Sequence, residues 1–258
     1  VIDLEQVYPN EAEPRTLFER QPLIVIDPVD PRRNVAAAVS LRSFSTFVLA
    51  CRDFLERPSV KFFFPKRPAK LTREGFRQLI KRRGTKLCCL WIKHSGLPED
   101  VIYPQLRKPE RARAGELVQG GFEVLRSDVW ADDRNGAVLV ELSIFRLPPV
   151  QARPGPQVTL DVSNFIREHL KSSKRLAGPY VDKAGRVVYE LRRMETDGLK
   201  SFHRAVSEHK GFGKDVVEGI ERRRHVILVG EEISKMFRNR KFAEFVSGYL
   251  DPQLPWYR

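Results

Sequence analysis

Cysteine is scarce in this chain. Its three copies, Cys51, Cys88 and Cys89, exclude more than they offer. Adjacent cysteines rarely bridge each other, and with no Cys-x-x-Cys pair there is neither a zinc-ligand spacing nor a redox motif. Free, buried thiols in a reducing compartment, the cytoplasm, are the expectation. No run approaches the roughly 18 apolar residues of a membrane span. The opening "VIDLEQVYPNEAEP" has no basic end and no apolar block, so it does not read as a signal peptide. It also does not begin with methionine, which leads to the expectation of a processed chain or of the carboxyl part of something longer. The five histidines, His94, His169, His203, His209 and His225, pair with no serine or cysteine nucleophile and have no metal-ligand spacing. Walker and dinucleotide glycine patterns are missing as well. No catalytic residue and no metal ligand are expected.

What the chain does have is positive charge. Lys and Arg outnumber Asp and Glu by 46 to 33 in 258 residues, a net of +13. Such an excess points to a polyanionic partner, nucleic acid first. The charge is unevenly placed. Residues 1–30 hold seven acids against Arg15 and Arg20 only, so the opening segment is not the RNA-facing part.

The patterning predicts an α+β fold. Residues 5–22 read as an acidic loop. "LIVID", 23–27, reads as a buried strand ended by two Asp-Pro steps, since proline lacks an N–H and bars its predecessor from helix. A helical turn should open at Asn34 or an arginine beside it. Ser40 should cap a helix whose stripe is Leu41, Phe44, Val48, Leu49, Cys51, Phe54 and Leu55, closed by Pro58. The rings of "KFFFPK" could stack on bases, as nucleic-acid platforms do, but at helix-end spacing they read as core. Thr72 should cap a helix that stops at Gly84. From 85 on, a strand, "TKLCCLWIKH", precedes a helix interrupted or started late by Pro109. Two strands follow as a hairpin, with Asn135-Gly136 giving positive φ. The segments 213–224 and 225–230 should supply a second helix and a fourth strand. The whole would be a ferredoxin-like, or RRM-like, domain. Proline-rich 147–157 reads as a boundary. Beyond it, a helix and a hairpin turning at Lys183–Gly185 form an inserted lobe. The last 28 residues hold two helical stretches and an extended end.

Candidate ligand contacts begin with Arg33 and Asn34. A guanidinium fork can serve a phosphate or a base edge, and an amide both donates and accepts; a capping asparagine beside a solvated arginine is the plainer alternative. Asp27 and Asp30 are better read as turn formers than as metal ligands. Gly213 and Lys214 open a helix whose bare N–H groups and ammonium could grip a phosphate. Lys171, Lys174 and Arg175 follow the lobe helix, and Arg192 and Arg193 end a lobe strand.

The segment "VIDPVDPRRNVAAAVS" resembles the one that follows the catalytic head in archaeal, class one CCA-adding enzymes, the tRNA nucleotidyltransferases. "FVLACRDFLERPSVKFFFPK", "RRGT", "YPQL", "GPQ", "GRVVYELRRM" and "GFGKDVVEGI" continue the likeness in order, from about Pro22 onward. The resemblance implies that Arg33 and Asn34 line a nucleotide pocket for CTP and ATP, with Asp27 and Asp30 supporting the loop. It implies three parts. Residues 1–84 would end the nucleotide-selecting domain. Residues 85–150 with 200–258 would form the RRM-like body. Residues 151–199 would be the tail lobe, read against the tRNA acceptor stem and T arm by shape, as A-form RNA must be. It also implies a head domain holding Mg2+ on a Gly-Ser and Asp-x-Asp pattern. That pattern is missing here, so the chain alone should bind without catalysing. A homodimer is compatible with the resemblance. The other readings are a non-enzymatic RRM-like RNA-binding module, and part of a poly(A) polymerase or oligoadenylate synthetase relative. On the first reading Arg33 and Asn34 should both be exposed.

Overall fold

Few apolar side chains are available to hold the first seventy residues together, and they converge from short, turn-rich segments rather than from a sheet. The computed structural model describes residues 1–208 and 211–258, which fold as two units. One is Val1–Ala69 with Leu250–Arg258, the other Lys70–Tyr249. In the smaller unit, Phe18, Ile24 and Ile26 are buried, with Val1 and Tyr8 packed against them. Residues 5–22 are not all loop, since a short helix α1 spans Ala12–Leu17. The expected strand at 23–27 is reduced to two bridges, Ile2 with Val25 in parallel and Ile26 with Asn34 antiparallel. Proline at 28 and 31 leaves too little chain for a ladder. No helix opens at Asn34; residues 35–38 are turns, with Ala37 N–H donating to the Asn34 carbonyl at 3.2 Å.

Helix α2 (Leu41–Glu56) begins as expected, because the Ser40 hydroxyl accepts from Ser43 N–H. None of its residues is buried, so its apolar stripe is not core. The "KFFFPK" rings also depart from expectation. Phe63 and Phe64 are 68% and 78% exposed. The carboxyl end is not extended either: Pro255–Tyr257 form a 3-10 turn with Trp256 buried.

The larger unit opens with α3 (Arg73–Arg83). Thr72 Oγ1 accepts from Gly75 N–H, and Gly84 closes the helix at φ +65°, a left-handed conformation that favours glycine. Strand β1 (Lys86–Lys93), α4 (Glu99–Gln119), β2 (Glu123–Ala131) and β3 (Asn135–Ile144) follow. After them come β4 (Val150–Gln157), α5 (Ser163–Leu170), β5 (Arg175–Val181), β6 (Arg186–Arg192), α6 (Gly198–Ser207), α7 (Lys214–Glu221), β7 (His225–Val229) and α8 (Arg240–Leu250). The first sheet is antiparallel with order β2-β3-β1-β7, and the second has order β4-β6-β5. The fold is α+β.

Period-two alternation divides the residues of β1 between the two faces of the first sheet. Cys88, Leu90 and Ile92 join Ile102, Leu106, Leu117, Phe202, Val216 and Ile220 in the main core. On the other face, Trp91 stacks on Trp130 at 5.5 Å, and Phe242 of α8 lies edge-on to both. Burial, aided by the charge of Asp197 and opposed by Lys86, pushes the Cys88 thiol up to about 12. Burial also raises Cys89. Cys51, expected to be buried, is exposed. Iodoacetamide at neutral pH should therefore label Cys51 alone in the native chain, with Cys88 and Cys89 labelled only in urea, because the thiolate is the nucleophile. Mass spectrometry after timed quenching decides this, and native labelling at Cys88 would contradict the packing described.

Three local expectations fail for stated reasons. Helix α4 runs unbroken through Pro104 and Pro109, because burial of Ile102, Leu106 and Leu117 outweighs two missing N–H donors. The hairpin turn needs no positive φ at Asn135-Gly136. Instead the Asp132 carboxylate accepts from the N–H groups of Arg134 and Asn135. Gly136 has little room for a side chain, since a Cβ there would lie 3.0 Å from Leu106 Cδ1. Finally, much of the proline-rich boundary is strand β4. It lies at the sheet edge, pairs only with β6, and its register breaks between Pro154 and Gln157, which is where a sheet admits proline.

Candidate nucleotide and RNA interface

The Asp-Pro segment builds a loop around one amide. Asp27 Oδ1 accepts from Val29 N–H at 2.9 Å and Asp30 Oδ1 from Arg32 N–H at 3.1 Å, so both carboxylates form turns. Asn34 is 5% exposed. Its Oδ1 accepts from Val25 N–H (2.8 Å) and Ala36 N–H (2.9 Å), and its Nδ2 donates to Gln21 Oε1 and to the Leu23 carbonyl (2.9 Å). That uses two donors and an acceptor entirely within the chain. The expectation that Arg33 and Asn34 would both be exposed is thus corrected for the asparagine. Arg33 is the one presented: its side chain is 71% exposed, with Nη1 at 3.7 Å from Asp27 Oδ2. The two residues are adjacent because one anchors the loop and the other faces out.

In the second sheet, Lys174, Arg175 and Arg192 meet at one end of the β5–β6 hairpin. Arg192 N–H donates to the Lys174 carbonyl at 2.7 Å, and Arg175 lies opposite Leu191. Lys171 caps α5 just before them. Lys171, Lys174, Arg175 and Arg192 are exposed. Arg193 is different. Its Nη1 donates to the Gly120 carbonyl (2.9 Å) and to Gln151 Oε1 (3.2 Å), tying the lobe to the end of α4. It lines a groove of about 650 Å³ with Glu116, Glu195, Arg204 and Glu208, three acids against two arginines and so poorly suited to phosphate. The lobe's centre is Tyr189, stacked on His169 at 5.3 Å, with its hydroxyl donating to the Ile166 carbonyl. Gly155 leaves room there for the Phe165 ring.

Gly213 and Lys214 do open a helix, α7, with Gly213 as its cap residue. One of its first N–H groups is already taken: Asp215 N–H donates to Gln105 Oε1 at 3.1 Å, and Gln105 Nε2 donates back to Asp215. The glycine is needed because a Cβ would overlap the Gln105 side chain. Lys214 is exposed. His209 lies outside the described residues. Three further cations, Arg107, Lys108 and Arg111, are exposed on α4 and are absent from the candidates named from sequence; their i, i+1, i+4 spacing was the available signal.

Among the described residues no group of three or more His, Cys, Asp or Glu gathers to hold a metal ion. No helix among them is long and apolar enough to cross a membrane.

Two family models match in tandem: "tRNA nucleotidyltransferase, second domain" over residues 1–64 and "CCA-adding enzyme, C-terminal domain" over residues 83–230. The CCA-adding enzyme of Methanopyrus kandleri is 35% identical across 96% of this chain and 54% of its own length. Those of Methanosarcina mazei and Archaeoglobus fulgidus are 36% and 33% identical, over 70% and 82% of this chain and 40% and 47% of theirs. The chain spans about half the length of these relatives. With the larger part of its length matched by the C-terminal model, the chain belongs to the family of CCA-adding enzymes.

Proposed function

We propose that this chain forms the tRNA-binding and nucleotide-selecting part of an enzyme that adds C, C and A to tRNA 3′ ends from CTP and ATP. The observation that carries the reading is the division of labour in the Asp-Pro loop. A fully satisfied buried amide at Asn34 fixes the backbone, and the exposed Arg33 guanidinium is offered to a nucleotide. Asp27 and Asp30 shape the approach. In this reading residues 1–84 end the nucleotide-selecting domain, 85–150 with 200–258 form the body, and 151–199 are the tail lobe. The strand order β2-β3-β1-β7, with α4 after β1 and α7 before β7, supports a ferredoxin-like body. The exposed cations Lys171, Lys174, Arg175 and Arg192 face the backbone of folded tRNA, with Lys214 a further contact, while Arg193 orients the lobe. Mg2+ would serve the reaction without residues of this chain, and the cytoplasm is the compartment implied.

The adaptor alternative is disfavoured by one finding. An RRM-like module reads single strands on an open sheet face, and here that face is covered by Phe242 over Trp91 and Trp130.

Fluorescence anisotropy with an acceptor-stem minihelix tests the reading. Neutralising six to ten phosphates should lower the affinity about 10³-fold or more between 50 and 200 mM salt. Replacing Lys171, Lys174 and Arg192 together by glutamine should flatten the salt slope by about one per lost contact. Binding that is insensitive to salt, or a preference for unpaired over folded RNA, would sink the proposal.

A further inference from the structure

The smaller unit leaves a set of aromatic rings partly in water. Phe62, at the end of a second 3-10 turn (Val60–Phe62), stacks on Trp256 at 5.4 Å with the ring planes 19° apart, and Phe54 packs edge-on against Phe62 and Phe63. Asp53 Oδ2 accepts from Trp256 Nε1 at 2.8 Å and from the Tyr257 hydroxyl at 2.9 Å, which fixes both rings. Yet Tyr257 is 67% exposed. Asp53, Glu56, Phe62, Trp256 and Tyr257 line a cleft of about 410 Å³ with Arg57 and Lys61.

Burying apolar rings is the ordinary outcome, and holding a tyrosine by its hydroxyl with its ring in solvent is not. The flanking chemistry says what the rings would take. Within the cleft, Asp53 is occupied by the two ring donors and Glu56 faces the cations Arg57 and Lys61; along the chain beyond it, residues 57–69 carry Arg57, Lys61, Lys66 and Arg67 and no acid. Flat π faces beside a cationic track are how proteins hold unpaired nucleotides: the base stacks and the phosphates meet the cations. An apolar peptide would gain nothing from that charge.

We infer that Tyr257 and the exposed Phe63 flank a stacking site for an unpaired nucleotide of bound RNA, with Lys61 and Arg57 as its phosphate contacts. The site rests on the RNA-binding reading above but is separate from Arg33 and from the lobe cations.

The test uses the whole chain with two fluorescent probes, a blunt minihelix and a single-stranded hexanucleotide. Tyr257→Ala and Phe63→Ala should each weaken hexanucleotide binding about tenfold and leave blunt minihelix binding unchanged. Tyr257→Phe, which keeps the ring, should retain most of the affinity. Both alanine changes lie at exposed positions, and unchanged far-UV spectra establish that the variants fold. If the minihelix binds but the hexanucleotide does not, or if neither alanine variant matters, the stacking site is overturned and the tRNA reading stands. Failure of both probes overturns the two together. Self-association lost in Tyr257→Ala at unchanged RNA affinity would assign the rings to a protein contact instead.

Discussion

Replacing Glu141 with alanine is expected to destabilise the larger unit by about 3 kcal/mol, because it removes the fully buried acceptor shared by two partly buried cations. Glu141 sits on β3 with its carboxylate fully buried; Arg83 Nε reaches Oε1 at 2.7 Å and Arg126 Nε reaches Oε2 at 3.1 Å. Thr85 Oγ1 donates to Oε1 at 2.6 Å. Arg126 is held in turn by α8, through Nη1 to the Tyr249 carbonyl, while the Tyr249 hydroxyl donates to the Arg126 carbonyl. One carboxylate thus ties α3, two strands and the last helix together. Without it, two partly buried guanidiniums repel each other with no carboxylate between them. Glu141→Gln keeps the volume and one acceptor and should lose about 2 kcal/mol, the worth of a charged hydrogen bond. Urea denaturation followed by circular dichroism measures both changes as a shift of midpoint at constant slope. A loss below about 1 kcal/mol for Glu141→Ala would mean that water reaches the network and that it behaves as a surface pair.

Asn34→Ala is the second large effect, and its contrast with Arg33→Ala separates anchoring from contact. The alanine removes the acceptor for Val25 and Ala36 N–H and the donor for the Leu23 carbonyl. Groups orphaned in this way cost about 1–3 kcal/mol each, so a net loss of about 3 kcal/mol in the smaller unit is expected. The cluster around this loop has only three buried apolar side chains, Phe18, Ile24 and Ile26, which leaves little reserve. Asn34→Asp should be nearly as damaging. Gln21 can turn its amide to face a carboxylate, but the Leu23 carbonyl cannot. Arg33→Ala should change stability by no more than about 0.5 kcal/mol, since its pair with Asp27 is solvated, while weakening nucleotide binding. Hydrogen exchange decides the matter. Amides in residues 24–36 should exchange about 100-fold faster in Asn34→Ala and at the native rate in Arg33→Ala. Equal protection in both variants would remove Asn34 from its anchoring role.

How much of this was legible depended on how local each cause was. Ser40, Thr72 and Gly84 mark helix ends through side-chain and backbone chemistry within three residues, and all three do so in the structure. The alternation of β1 was equally local, and it put Cys88 and Cys89 on opposite faces. Where the cause was distant, the reading failed. Pro104 and Pro109 lie inside α4 because the sheet beneath it rewards a continuous helix. Pro154 and Pro156 lie in a strand because β4 is an edge, which composition cannot reveal. The candidate site divides in the same way. The residue types at Arg33 and Asn34 were readable as nucleotide chemistry, but which of them faces outward was settled by partners at Gln21, Leu23, Val25 and Ala36.

The sequence by itself determined the positive charge and its bias toward the later residues, the main helix ends, and the kinship carried by the Asp-Pro segment, since these depend on residue type and short-range order. Tertiary structure alone decided that Asn34 is an anchor, that Arg193 ties the second sheet to the end of α4, that Phe63 and Tyr257 stay in water, and that one face of the first sheet is covered. Those outcomes are fixed by which groups find hydrogen-bond or packing partners far along the chain, and burial of that kind belongs to the folded whole.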